Sequence, residues 1–310
     1  MSETSSGPTP MHRLEYILLR FVASMVCMLP IGAALGVGAM MGRLAWKIFG
    51  VRRKIVLKNL RQAFPGMDAE ELEDLGCRSY MNSGRFMVEF ARQGKVDENY
   101  VTRYVRIGDS RRLDELRTMG GALLITGHFG NWELFGIACK YFLGDVAFLV
   151  GRQSNALVDR YINDNRSSHG IRLYNRRSAV KGVLESMRRG GFVCWLSDQD
   201  AGSGGIVVDF FGYPASTPRG AAAFSVKLGV PVIPAVLERE GTGPFHVLEL
   251  GVPVYPPDGI SGEQAEIEVT REYTRQLEEF VRKRPDLYWW AHRRWKSTGL
   301  YSGDDTGNGV

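Results

Sequence analysis

From Gly121 onward the chain alternates between short, densely apolar runs and longer stretches whose apolar residues return every three or four positions. The short runs read as buried strands and the longer pattern as amphipathic helix. Strands are predicted over 122–126, 146–150, 171–174, 192–196, 207–211 and 232–237, with another over 245–250. Helices fit 132–141, 156–168, 179–189, 219–228 and 264–284. This alternation predicts the α/β class: a central mixed sheet flanked by helices on both faces.

Upstream the pattern is helical. Residues 54–64 place Ile55, Leu57 and Leu60 among basic residues, and Pro65-Gly66 ends that helix. Asp68 with Glu71 three positions on forms a capping-box start for a helix reaching about Gln93. Earlier still, the 21 residues 21–41 carry no charge, which is long enough to span a bilayer, although Pro30 falls inside the stretch. Gly32/Gly36 and Gly38/Gly42 have the spacing that permits close helix packing. Seven basic residues (Arg43, Lys47, Arg52, Arg53, Lys54, Lys58, Arg61) follow without an acid. That excess places the main domain on the cytoplasmic face and against anionic headgroups. The expected organisation is an N-terminal tail and membrane-anchoring helix over 1–50, the main domain over 51–300 and a disordered tail over 301–310.

Composition narrows the function classes. A chain of 310 residues with 44% hydrophobic and 24% charged positions buries a full core. Its net charge of +5 has no aromatic-interleaved basic module to direct it at nucleic acid. Cys27, Cys77, Cys139 and Cys194 are scattered without a CxxC pair, which fits a reducing compartment and argues against a zinc site or disulfide framework.

The chemistry centres on Gly127-His128-Phe129-Gly130-Asn131-Trp132-Glu133, directly after the apolar run 122–126. On a straight helix five residues turn through roughly 500°, so His128 and Glu133 converge only if the chain turns between them. Gly127 and Gly130 supply that freedom. A histidine held by a carboxylate is a general base in a defined tautomer, and the end of a buried strand is where open α/β folds put ligand sites.

Other segments carry candidate binding groups. Ser197-Asp198-Gln199-Asp200 follows strand 192–196 and reads either as a DxD-type metal or sugar-nucleotide site or as a turn whose carboxylates cap amides. Thr217-Pro218-Arg219 suits a helix start, with Thr217 as N-cap and Arg219 beside free amides as an anion site. Arg152 and Arg166 are placed to hold a phosphate or neutralise developing charge. The aromatic and basic segment 287–296 suits a bilayer interface, an acidic partner, or core packing with a basic rim. No P-loop or Gly-x-Ser-x-Gly elbow is present.

Taken in order, segment 58–65, Gly127 to Glu133, Asp198-Gln199-Asp200, Thr217-Pro218-Arg219-Gly220 and His292-Arg293-Arg294-Trp295-Lys296 resemble the bacterial lipid A biosynthesis lauroyl/myristoyl acyltransferase family. The resemblance covers nearly the whole chain. It implies a glycerolipid-acyltransferase-like fold and an acyltransferase domain over 51–300. The family's HxxxxE/D dyad carries over to His128 and Glu133, with Glu in the acid position. By this resemblance His128 deprotonates a glycolipid hydroxyl that attacks an acyl thioester, and Glu133 orients His128. Asn131, Arg152, Arg166, Asp198 and Arg219 are the implied substrate-binding positions, with backbone amides at the Asn131 helix start or an Arg facing the oxyanion. The implied donor is acyl carrier protein or acyl-CoA, the acceptor a lipid A precursor, and the location the inner membrane; no cofactor or metal is implied. Two other readings remain: an acyl-CoA-dependent enzyme for another glycolipid, such as a phosphatidylinositol mannoside, or for a lysophospholipid, and a non-catalytic lipid-binding protein.

Overall fold

The uncharged stretch 21–41 is divided in two. In the computed structural model, which describes residues 8–175 and 178–301, helix α1 (Pro10–Met28) ends before Leu29 and α2 (Ile31–Lys47) begins after Pro30. Leu29 is extended (φ −79°, ψ 149°) because the ring of Pro30 disfavours the helical conformation of the residue before it. With the stretch cut there, and with Arg13, Glu15 and Arg20 inside α1, no helix among the described residues is long and apolar enough to cross a membrane. The single N-terminal membrane helix expected over this stretch is therefore not supported: two shorter helices, α1 and α2, meet at Pro30.

Helix α1 docks on the domain by its polar side. Asn155 donates to the carbonyl of His12 (2.9 Å) and to Glu15 (2.8 Å), while Arg20 lies over the ring of Tyr161. Arg92 and Lys95 donate to the carbonyls of Leu29 and Cys27, satisfying the C-terminal end of α1. The opposite face of α1 leaves Leu14, Ile17, Leu18, Phe21 and Met25 more than half exposed. In α2, Gly38 and Gly42 meet Gly84 and Tyr80 so closely that a Cβ would strike backbone, so this pair serves a helix crossing within the molecule; Gly32 and Gly36 have open space.

Helices α3 (Arg53–Ala63) and α4 (Ala69–Ala91) follow, the latter opened by the Asp68/Glu71 capping box anticipated above. Then come α5 (Glu98–Tyr104), β1 (Val105–Ile107), α6 (Ser110–Thr118), β2 (Ala122–Thr126), α7 (Trp132–Leu143) and β3 (Val146–Leu149). Next are α8 (Ala156–Ser168), β4 (Arg172–Tyr174), α9 (Ala179–Arg188) and β5 (Phe192–Leu196). A hairpin of β6 (Ile206–Phe210) and β7 (Tyr213–Thr217) precedes α10 (Gly220–Leu228), β8 (Val232–Arg239), β9 (His246–Leu250) and α11 (Gly262–Lys283).

Seven strands form one sheet in the order β1-β9-β8-β2-β5-β3-β4; β9 is antiparallel to β8 and the other neighbours are parallel. Strand β2 sits at the centre with every residue buried, and its side chains divide by the two-residue period. Leu123 and Ile125 enter the core shared with α9, α10 and α11, whereas Ala122 and Leu124 pack on the face covered by α7. The mixed sheet with helices on both faces is as the hydrophobic pattern predicts. Strand 207–211 is the exception: β6 leaves the central sheet to pair with β7, a strand the pattern did not reveal. The described cysteines are free thiols. The tails at 1–7 and 302–310 lie outside the described residues.

Candidate active site

Parallel pairing of β2 with β5 builds the site. The register sets Thr126 opposite Leu196, so two residues beyond each strand end His128 faces Asp198. The Asp198 carboxylate receives the backbone N–H of His128 at 2.7 Å on Oδ2 and lies 2.8 Å from the ring Nδ1 on Oδ1. A Cβ at position 127 would press on that carboxylate, which accounts for Gly127. Gly130 turns the chain with φ +57° against the carbonyl of Leu237. The His128 carbonyl accepts from the Trp289 amide at 2.9 Å, and its ring lies edge-on to Trp132. His128 is thus fixed through backbone and ring together.

The charges at this contact reinforce one another. Burial works to lower the pKa of His128, but the charge and hydrogen bond of Asp198, helped by the charge of Glu133, raise it above the ordinary histidine value. Burial works to raise the pKa of Asp198, and the His128 interactions together with the charge of Arg294 hold it below the usual carboxylate value. With Nδ1–H donated to Asp198, Nε2 carries the lone pair that a general base needs.

Glu133 is held differently from the expectation. Its carboxylate accepts a two-pronged contact from Arg166, Nη2 at 2.5 Å and Nε at 3.0 Å, with both side chains largely buried. The first-turn position of Glu133 on α7 brings its charge near the imidazole, while the hydrogen bond that orients the ring comes from Asp198. The expected His128–Glu133 orienting contact is therefore corrected to His128–Asp198, and Arg166 is committed to Glu133. Sequence proximity suggested the first pairing, and strand register makes the second.

A cavity of about 200 Å³ opens onto His128, Trp132, Glu133 and Arg166, with an apolar side formed by Phe135, Phe148, Leu149 and Trp195. Asn131 caps α7 by accepting from the Leu134 amide (2.9 Å). Among the described residues, the amides of Trp132 and Glu133 in the first turn have no acceptor. Asn131 itself is buried, donates to Glu89 at 2.7 Å, and lines a second cavity of about 220 Å³ together with Glu89, Tyr100 and Leu134. Glu89 also binds Arg239 through both guanidinium nitrogens and approaches His246 at 3.5 Å. This buried network was missed in the sequence, where its only signal is a carboxylate between the apolar residues Val88 and Phe90.

The remaining candidates are dispersed. Arg152 is exposed on the loop after β3, between Gly151 and Gln153, which line the cavity. Arg219 is exposed, pairs with Glu266 at 2.7 Å, and is absent from the cavity lining. Helix α10 begins at Gly220 with Arg219 rather than Thr217 at its cap, because Thr217 closes β7 and receives Arg294. In the 198–200 turn, Asp200 accepts from the amide (3.1 Å) and hydroxyl (2.6 Å) of Ser297, and its own amide donates to His292 Nε2 at 3.0 Å. Its carboxylate thus caps backbone. Segment 287–296 is core packing: Trp290, Trp295 and Arg294 are buried, and the segment forms the wall behind the turn.

The family model for the bacterial lipid A biosynthesis acyltransferases matches residues 9–297. The chain is 30% identical to the phosphatidylinositol mannoside acyltransferase of Mycobacterium tuberculosis (strain ATCC 25618 / H37Rv), over 68% of this chain and 67% of that protein. It is 23% identical to the lipid A biosynthesis lauroyltransferase of Escherichia coli (strain K12) over 88% of each chain. Its identity to the lipid A biosynthesis myristoyltransferase of the same strain is 24%, over 81% of this chain and 77% of that one.

Proposed function

The chain belongs to the bacterial lipid A biosynthesis acyltransferase family and is an O-acyltransferase, and on that premise we propose that it moves a fatty acyl chain from a thioester donor to a glycolipid hydroxyl with His128 as general base. The observation that carries the reading is the His128–Asp198 contact at 2.8 Å beside a cavity that has one apolar wall, Phe135, Phe148, Leu149 and Trp195. Nε2 takes the hydroxyl proton as the hydroxyl oxygen bonds to the thioester carbon. Asp198 keeps the proton on Nδ1 and stabilises the imidazolium. As the tetrahedral intermediate collapses, the carbon–sulfur bond breaks and the imidazolium returns the proton to the leaving thiolate. In this reading the acceptor-free amides of Trp132 and Glu133, at the positive end of α7, donate to the developing oxyanion. Glu133 adds negative charge that favours the imidazolium and fixes Arg166 at the cavity wall.

The donor thiol is that of a phosphopantetheine group, on acyl carrier protein or coenzyme A. Acyl carrier proteins are acidic, which suits the basic run from Arg43 to Arg61. The acceptor is a lipid A precursor, or the mannoside named in the mycobacterial relative. We place the protein at the cytoplasmic face of the inner membrane, lying in the interface by the exposed apolar face of α1.

The test is transfer of labelled acyl groups from acyl carrier protein or acyl-CoA to a lipid A precursor or a phosphatidylinositol mannoside in detergent micelles, with His128→Ala alongside. Product that requires His128 supports the mechanism, and the productive donor and acceptor identify the substrates. Wild-type rates in His128→Ala would overturn it.

A further inference from the structure

The proton-accepting nitrogen of His128 is already occupied. Gln199 Nε2 lies 3.2 Å from His128 Nε2. Because Asp198 accepts from the Nδ1 side, Nε2 carries a lone pair, and the Gln199 amide N–H is the group that donates to it. The amide therefore stands where a hydroxyl must stand before losing its proton to the base.

The turn makes this contact releasable. On one side of Gln199, Asp198 is tied to His128 through backbone and ring; on the other, Asp200 is tied to Ser297 and His292. The backbone of Gln199 is held while its side chain is exposed. Swinging the amide aside costs one neutral hydrogen bond and disturbs no packing.

Resting on the reading that His128 is the base, we propose that Gln199 is a specificity-determining guard: its amide caps His128 Nε2 against water and yields to the hydroxyl of a bound acceptor lipid. The tethered amide competes with water from a high effective concentration. A glycolipid spends binding energy from the rest of its structure to displace the amide; water has none to spend. Without the guard, water's oxygen bonds to the thioester carbon and its proton passes through Nε2 to the departing thiolate. The carbon–sulfur bond breaks, and the products are a free fatty acid and the carrier thiol.

The experiment measures thioester hydrolysis and acyl transfer side by side in Gln199→Leu, Gln199→Ala and His128→Ala, using the full chain in micelles with labelled acyl donor, with and without acceptor. Gln199→Leu keeps the bulk without the donor and, at an exposed site, leaves the fold intact, which circular dichroism checks. Hydrolysis without acceptor should rise about tenfold, equivalent to about 1.4 kcal/mol, while transfer at saturating acceptor stays within threefold. A merely structural role would lower both rates together. Unchanged hydrolysis, or loss of transfer, in folded Gln199→Leu overturns the guard while leaving His128 in place. Transfer that survives in His128→Ala overturns the base assignment itself.

Discussion

The backbone N–H and the ring Nδ1 of His128 both bind one carboxylate, that of Asp198, at 2.7 and 2.8 Å. A carboxylate that holds main chain and side chain together fixes both the position of the ring and its tautomer. Asp198→Asn cannot reproduce this, because an amide offers one acceptor and one donor to two donors. The expected result is a loss of about 10²–10⁴-fold in kcat with little change in KM. Steady-state kinetics checks the rate, and nitrogen NMR of the ring checks the tautomer. Wild-type kcat in a folded variant would exclude Asp198 as the positioning residue.

The same contact sets the pH profile. With His128 as the proposed base, catalysis needs its neutral ring, and its folded pKa lies above the ordinary value of 6.5. Activity should therefore rise with pH through a midpoint above 6.5, and Asp198→Asn should move that midpoint downward. For stability the sign is opposite: the His128 contribution is present below 6.5 and is lost as pH rises through the raised value. The Asp198 contribution is present above 3.8 and is lost as pH falls through the lowered value. The ion pair is fully formed between those two limits. The dependence of log kcat/KM on pH measures the first effect, and denaturation midpoints across pH measure the second.

The pairing of positions 128 and 198 shows what the linear pattern can and cannot deliver. Strands 122–126 and 192–196 and helix 156–168 are legible residue for residue, because each shows in the local run of its own residues. His128 is legible because it ends a buried strand before a glycine turn. Its orienting partner lies 70 residues away and depends on β5 lying beside β2, a strand order that no local period encodes. Counting uncharged residues over 21–41 likewise misses that Pro30 divides the stretch and that Gly38 and Gly42 face α4.

Glu133 and Arg166 can be separated into structural and chemical roles. Glu133→Gln leaves a largely buried guanidinium half-paired and should cost about 3 kcal/mol of stability along with activity. Adding Arg166→Met removes the stranded charge and should restore much of the stability. If Glu133 supports the imidazolium, the double variant stays at least tenfold slow. Full activity in the double variant would reduce Glu133 to a scaffold residue. Chemical denaturation and initial rates on the same preparations decide between these outcomes.

The Glu89–Arg239 pair behaves as a buried support for the same helix. Burial opposes ionisation of Glu89, yet His246 and Arg239 hold its pKa down at about 2. Its contribution to stability is therefore present above 4.5 and falls away as pH drops toward about 2. Arg239→Met should cost about 3–5 kcal/mol by stranding the carboxylate. Because Asn131 also binds Glu89 and caps α7, the start of that helix should loosen as well. Amide hydrogen exchange at Leu134 reads this directly, and unchanged protection would uncouple the network from the site.

The exposed apolar face of α1 gives a test of membrane attachment that is independent of catalysis. Leu14, Ile17, Phe21 and Met25 lie on the side of α1 away from the Asn155 and Tyr161 contacts, so they contribute little to the folded core. Burying one such side chain in a bilayer interface contributes up to about 1.5–3 kcal/mol. Phe21→Glu should therefore weaken binding to lipid vesicles by about tenfold or more and leave the denaturation midpoint nearly unchanged. The flanking cations Arg13, Arg20, Arg43 and Lys47 make a second, separable contribution. Binding should strengthen with anionic lipid and weaken as salt is raised, because exposed charges are screened over about 10 Å at 0.1 M salt. Vesicle sedimentation across lipid compositions and salt concentrations measures both contributions. If Phe21→Glu bound as tightly as wild type at every composition, the apolar face of α1 would not be the attachment surface, and the basic run alone would have to account for binding.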